Sequence, residues 1–196
     1  MRIVITGGTG FIGHALVDAL TRQQHDVVVL CRKPARSVHS SAVYVEWDAR
    51  TVGPWRAELQ EADAVVNLAG APIAEGRWTP ARKRLLLESR TVSTRLLVDA
   101  LAARISPLPV FITASGIGYY GASDDRVLDE GSALGEGFLA DLSAAWEAEA
   151  LRAAQFRTRV VVLRTGMVLE EDGGALPKML LPFRFFAGGP VLPGTQ

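Results

Sequence analysis

The stretch "ITGGTGFIG", residues 5–13, decides how this chain is read. Gly7, Gly10 and Gly13 fit the pattern G-x-x-G-x-x-G at the junction between the apolar run "RIVIT" and an amphipathic segment from Phe11 to Gln24. At such a junction the first glycine permits a tight turn, the second lets the backbone approach a pyrophosphate, and the third lets helix and strand pack closely. The first amides after Gly10 then aim unpaired N–H groups, and the positive end of the helix dipole, at the phosphates. A glycine pattern alone is weak evidence; its place between a strand and a helix is the context that supports it. The expected dinucleotide contacts here are Gly7, Thr9, Gly10, Phe11, Ile12 and Gly13.

Working outward, the same grammar repeats. Apolar runs rich in Val and Ile recur as "RIVITGG", "DVVVLCR", "VYVEWD", "DAVVNLAG", "PVFITASG" and "RVVVLRTG". Continuous apolar runs suit strands buried on both faces, the signature of a parallel sheet. Helical patterns lie between them, from Phe11 to Gln24, from about Thr79 to Ala103 and from about Phe138 to Ala154. The last of these predicts a packing stripe of Leu139, Leu142, Ala145, Trp146 and Glu149. Alternating strands and helices imply an α/β, doubly wound parallel sheet with right-handed crossovers, six strands in the order 3-2-1-4-5-6. A dinucleotide-binding domain is expected over residues 1–170, followed by an apolar tail over 171–196. That tail reads either as a last helix, Leu176 to Phe186, on the sheet edge, or as the start of a further segment that the chain stops short of.

Composition limits the partners. With 48% hydrophobic and 21% charged residues among 196, the chain has an ordinary globular balance. Its 21 basic and 21 acidic side chains cancel, so no global field draws it to nucleic acid or an anionic membrane, and anion binding must come from a local site. The lone Cys31 cannot form an internal disulfide, and its apolar neighbours mark a buried structural thiol; a reducing, cytoplasmic setting is expected. The opening "MRIVITGG" lacks the apolar core of a signal peptide, and no run is long enough for a membrane span. His14, His25 and His39 show no metal-ligand spacing.

The choice of dinucleotide is made at the end of the second strand. An acid there would accept hydrogen bonds from the adenosine ribose of NAD. This chain has "LCRKPAR" instead, with Arg32, Lys33 and Arg36 and no carboxylate, which favours NADP(H), because arginine grips a 2′-phosphate with parallel hydrogen bonds. Asp48, closing the third strand, either accepts from the adenine amino group or caps a turn. Leu68, Ala69 and Gly70 in "VVNLAGAP" let the backbone pass close to the cofactor near the topological switch point.

Taken together, "TGGTGFIG", "NLAGAPI", "RWTPARKRLLLESRTVSTRLL", "TASGIGYYG", "WEAEA" and "LRTGMVLEEDGGALPKML" resemble the extended short-chain dehydrogenase/reductase superfamily. More narrowly, the chain is similar to its atypical, NAD-dependent epimerase/dehydratase-like members, the NADP-dependent nucleotide-sugar-epimerase-like proteins. The resemblance implies a Rossmann fold, a small-molecule substrate, a homodimer through the two long helices and a chain that continues well beyond residue 196. It also implies that part of the substrate pocket is absent.

Typical members act through a Ser or Thr, a Tyr and a Lys, helped by an Asn on the long helix. Ser115 matches the hydroxyl position. The Tyr-x-x-x-Lys places fall on Phe138 and Leu142, or on Leu139 and Ser143, and the Asn place holds Arg90. The family's lysine lowers a tyrosine pKa from about 10, and loss of such an acid or base costs about 10²–10⁴ in rate. Tyr119 and Tyr120 remain beside Ser115, either as proton donors or packed on the substrate. Arg77, Lys83 and Arg90, around Trp78, could supply cations to an anionic substrate, with Lys83 and Arg90 on one helical face. Arg164, closing the sixth strand, either binds substrate phosphate or pairs with an acid such as Glu147. Two functions follow: an oxidoreductase or epimerase with altered acid–base groups, or a non-catalytic NADP-binding module.

Overall fold

The first strand, β1 (Arg2–Thr6), buries four of its five residues, and the strands paired to it explain why. A computed structural model describes residues 1–34, 41–123, 125–171 and 173–189 of the chain. In it β1 lies between β2 (Asp26–Cys31) and β4 (Ala64–Asn67), both parallel, with Ile5 opposite Val29 on one side and Val66 on the other. With β3 (Val43–Glu46), β5 (Val110–Gly116) and β6 (Arg159–Thr165) the sheet runs β3-β2-β1-β4-β5-β6, the order read from the sequence. The fold is thus the doubly wound α/β sheet. Arg36 and His39 lie outside the described residues.

Alternate residues of each strand face opposite layers. Val4, Val28 and Val65 join Phe111 beneath Leu97 and Leu101 of α3 (Pro80–Ala102). Ile3, Ile5, Val27, Val29 and Val66 pack beneath Val17 of α1 (Phe11–Arg22). Both faces of β1, β2 and β4 are covered, so neither alternation nor a polar face shows in these runs. The edge strands β3 and β6 instead leave Val43 and Leu163 exposed, unlike the two-sided burial expected of all six. Each fully buried Val or Leu contributes about 1.5–3 kcal/mol. Cys31 is buried among the second group.

Element ends follow local chemistry. Thr79 caps α3, its Oγ1 accepting from Arg82 N at 3.2 Å, and Pro80 opens the helix where its missing N–H costs nothing. Helix α1 stops at Arg22, short of the expected Gln24, because Gln24 turns to φ +60°. A short helix α2 (Arg56–Gln60) between β3 and β4 is not evident in the sequence pattern. Helix α4 (Phe138–Leu151) gives way to a 3₁₀ segment, Arg152–Phe156. A hairpin, β7 (Leu169–Glu170) with β8 (Gly173–Gly174), precedes α5 (Leu176–Arg184). The chain groups into two compact units, Met1–Arg164 and Thr165–Gln196. Among the described residues no helix is long and apolar enough to cross a membrane.

The buried face of α4 differs from the expected stripe. Leu142 and Trp146 are buried as expected, but Ala140, Ser143, Glu147 and Ala150 complete the face in place of Leu139, Ala145 and Glu149. The helix is wedged between α3 and β5, so its covered arc turns toward Glu147, whose carboxylate finds polar partners there.

Glu149 instead bridges α4 to α3. It accepts from Arg95 and, at 2.9 Å, from Arg152, which also reaches Asp99 at 2.7 Å. The Arg95 hydrogen bond, first among the causes, holds the Glu149 carboxyl below its ordinary pKa. A carboxylate depressed in this way supplies stability that is fully present above its unfolded pKa of about 4.3 and is lost as the pH falls through the lower folded value. Glu149→Gln is therefore expected to lower unfolding stability by about 0.5–1 kcal/mol at pH 7, given the solvent exposure of both arginines, and by much less at pH 3. Urea unfolding at the two pH values checks this.

Candidate active site

The glycine turn is built by close backbone approach. Gly7 has φ +71°, and a Cβ there would stand 2.7 Å from the Leu68 carbonyl carbon and oxygen, so the turn lies against the end of β4. A Cβ on Gly13 would meet the Gly7 carbonyl oxygen at 2.2 Å, which only glycine allows. Gly10 N donates to Gly7 O at 2.9 Å and closes the turn. A Cβ on Gly10 would meet only Gly7 O, at 3.2 Å, so the space in front of it is open. The amino end of α1 has no side-chain cap and no acid in its first turn, and Thr9, Gly10, Phe11 and Ile12 are exposed around it. An uncapped, unopposed helix amino end facing open space is able to receive an anion.

Arg32 and Lys33 are exposed just past β2, with no ion-pair partner among the described residues. Asp48 sits two residues beyond β3, which ends at Glu46 instead of Asp48. Its Oδ1 accepts from Arg50 N and Thr51 N, both at 2.8 Å, and Oδ2 from Thr51 Oγ1 at 2.7 Å, the turn-capping arrangement of the two considered. These bonds, Arg50 N foremost, hold its pKa below the usual carboxylate value.

A buried polar chain ties the carboxyl ends of the strands to the helices. Thr6 Oγ1 donates to Asn67 Oδ1 at 2.7 Å, Asn67 Nδ2 to Thr94 Oγ1 at 2.8 Å, and Trp146 Nε1 to the same hydroxyl at 2.9 Å. Asn67 and Thr94 were missed as site-builders in the sequence, although a polar residue ending the apolar run "DAVVN" is a signal.

Leu68, Ala69 and Gly70 follow, with Arg90 directly behind them. Its Cζ lies 2.9 Å from where a Gly70 Cβ would be, Nη2 donates to Ala71 O at 3.1 Å and Nη1 to Leu86 O at 3.0 Å. The Trp146 ring lies 5.1 Å away, and Nε has no partner. Arg90 is 7% exposed with no carboxylate among its partners. Burial, with repulsion from Arg82 added, lowers its pKa to about 10. The structure thus places Arg90 under the loop, holding its backbone, and not on an open surface.

The three catalytic candidates converge on one ion pair. Ser115 Oγ donates to Glu147 Oε1 at 2.5 Å, and both residues are buried. Arg164 binds Glu147 bidentately, Nε to Oε1 at 2.9 Å and Nη2 to Oε2 at 2.8 Å. Its Nη1 donates to the Tyr120 hydroxyl at 3.0 Å, and its guanidinium covers the Tyr119 ring at 3.5 Å. Of the two roles considered for Arg164, the geometry is that of the pair with Glu147, whose hydrogen bonds raise the arginine's pKa. At the Tyr-x-x-x-Lys places, Phe138 meets Trp78 edge-on at 5.5 Å and Leu139 packs against Gly118, while Leu142 and Ser143 are buried.

Residues 3–174 match the NAD dependent epimerase/dehydratase family. The chain belongs to that family. It is 39% identical, over its whole length, to an epimerase family protein of Staphylococcus haemolyticus, and 38% identical to the epimerase family protein YfhF of Bacillus subtilis. It spans 64% of the length of each. Among solved structures it resembles the human epimerase family protein SDR39U1 (isoform 2), crystallised with NADPH, at TM-score 0.82 and 37% identity, covering all of this chain and 64% of that one. The nucleoside-diphosphate sugar epimerase of Corynebacterium glutamicum gives TM-score 0.80 and 30% identity, over 99% of this chain and 39% of that one.

Within this family member, the Glu147–Arg164 pair is a point of high cost. Arg164→Met leaves a buried carboxylate and is expected to lower stability by about 3–5 kcal/mol. In the double variant Arg164→Met/Glu147→Met the loss should fall well below the sum of the single losses, as a double-mutant cycle in urea would show.

Proposed function

We propose that this chain is the NADP(H)-binding part of an epimerase-like oxidoreductase. Its substrate is a nucleotide-sugar-like or small carbonyl or hydroxyl compound, and its active site works without the Tyr-x-x-x-Lys pair. The observation that carries the reading is the open glycine turn, uncapped and free of acid at the start of α1. The human relative crystallised with NADPH supports it. Gly7, Thr9, Gly10, Phe11, Ile12 and Gly13 hold the pyrophosphate, Arg32 the 2′-phosphate, and Leu68, Ala69 and Gly70 the nicotinamide half, with Asp48 near the adenine. Ser115, Tyr119 and Tyr120 act on the substrate, and Arg90 and Arg164 shape its site. Residues 1–170 form the cofactor domain and 171–196 begin the substrate-binding part; two copies pair through α3 and α4.

A second reading, a non-catalytic NADP-binding regulatory or scaffold module, is favoured by one feature. The Ser115 hydroxyl is engaged by Glu147, and no tyrosine or lysine stands on α4. The triple variant Ser115→Ala/Tyr119→Phe/Tyr120→Phe separates the two. If the chain is an enzyme, the variant's NADPH oxidation in the presence of carbonyl pools falls by about 10²–10⁴. If it is a binder, neither protein turns over and both bind NADPH.

Calorimetric titration tests the cofactor assignment itself. NADPH is expected to bind at least about tenfold more tightly than NADH, and Arg32→Glu to abolish that preference. Tighter binding of NADH to the unaltered chain would refute the role given to Arg32.

A further inference from the structure

The loop after β4 and the first turn of α3 carry Arg77, Arg82, Lys83 and Arg84 within one short stretch. They stand at the amino end of a 23-residue helix with no acid in its first turn, where the dipole already disfavours cations. Arg82 has Glu75 at 4.0 Å; Lys83 has no carboxylate partner among the described residues. Its ammonium lies 5.1 Å from the centroid of the Phe138 ring. On that same ring Trp78 sits edge-on, at 5.5 Å and 68°.

Trp78 is held in place yet open. Its indole N–H donates to Ile73 O at 3.0 Å, which fixes the ring, while 40% of the residue remains exposed. Trp47, Trp55 and Trp146 are all buried. A fixed indole face, a second aromatic ring and an unpaired ammonium therefore meet at one spot, in a neighbourhood of excess positive charge. Such a spot suits a flat ring bearing an anionic group. The ring covers the aromatic side chains, and Lys83 exchanges its weak hold on the Phe138 face for a charge-assisted hydrogen bond to the anion.

We propose that Trp78, Phe138 and Lys83 form a binding subsite for a planar ring that carries an anionic group. Use of this subsite for the substrate rests on the function proposed above; occupancy of the subsite needs no cofactor. The two therefore fail separately: NADPH binding is read by calorimetry, and the subsite by the indole signals below.

The test is NMR of the ¹⁵N-labelled chain, in which the Trp78 indole signal is identified by its loss in Trp78→Phe. The probes are 2-naphthoate, its neutral analogue 2-naphthamide, and acetate. 2-Naphthoate is expected to move the Trp78 signal and to bind about fivefold more tightly than 2-naphthamide, the upper range for an exposed ion pair. Acetate alone should move the signal little. In Lys83→Gln the two aromatic probes should bind alike, with the Trp47, Trp55 and Trp146 signals in place as proof of an intact fold. The proposal is overturned if 2-naphthoate leaves Trp78 unmoved, if acetate moves it as far, if the neutral probe binds as well to the unaltered chain, or if the preference survives in Lys83→Gln.

Discussion

The Gly7 carbonyl oxygen occupies the place that a side chain at residue 13 would need. This contact sets the depth at which α1 starts, and with it the direction of the first-turn amides. The other side of the same turn rests on the backbone of Leu68, so the end of β4 is located by the turn as well. From there the polar chain Thr6, Asn67, Thr94 and Trp146 extends the constraint to α3 and α4. Each group in that chain is buried, and an unmet hydrogen bond there costs about 1–3 kcal/mol, so the helices cannot rotate without breaking it. Geometry at the crevice therefore descends from one approach between backbones, passed on by hydrogen bonds that have no substitute in a dry interior.

Two arginines, Arg90 buried and Arg164 half-buried, show how differently charge is handled on either side of this frame. Arg164 meets a carboxylate with two parallel hydrogen bonds, and its pKa rises. Arg90 meets only carbonyl oxygens and an indole face, and its pKa falls to about 10, still far enough above neutrality for the guanidinium to stay charged. Carbonyl dipoles compensate a desolvated cation only in part. An unneutralised positive charge thus lies directly beneath Gly70 and Ala71, while the charge at the end of β6 is cancelled locally by Glu147.

What could be read in the sequence was whatever has a period or a forced conformation. Val4, Val28 and Val65, buried on both sides, gave unbroken apolar runs, and six such runs separated by helical patterns gave the sheet order. The glycine spacing identified the turn because Gly7 and Gly13 have no alternatives there. Asp48 was legible only as a choice, since an Asx turn and a ligand contact use the same oxygen atoms. The face of α4 was misjudged because amphipathic counting assumes that buried means apolar, whereas Ser143 and Glu147 are buried. Short elements such as α2, and the β7–β8 hairpin, are set by their surroundings and leave no periodic trace.

The first turns of α4 carry Phe138, Leu139, Leu142 and Ser143, and no tyrosine or lysine. Of these four, Leu142 and Ser143 are buried, and Phe138 is drawn into an aromatic contact with Trp78. The hydroxyls that remain nearby belong to Ser115, Tyr119 and Tyr120, and those of Ser115 and Tyr120 bond to the two members of the Glu147–Arg164 pair. A proton leaving Ser115 would place a second negative charge beside Glu147, a costly event at a buried site. Tyr120 meets the other member of the pair, since Arg164 donates to its hydroxyl oxygen at 3.0 Å. The same ion pair therefore disfavours ionisation of the serine and ties the hydroxyls that follow β5 to the charge at the end of β6.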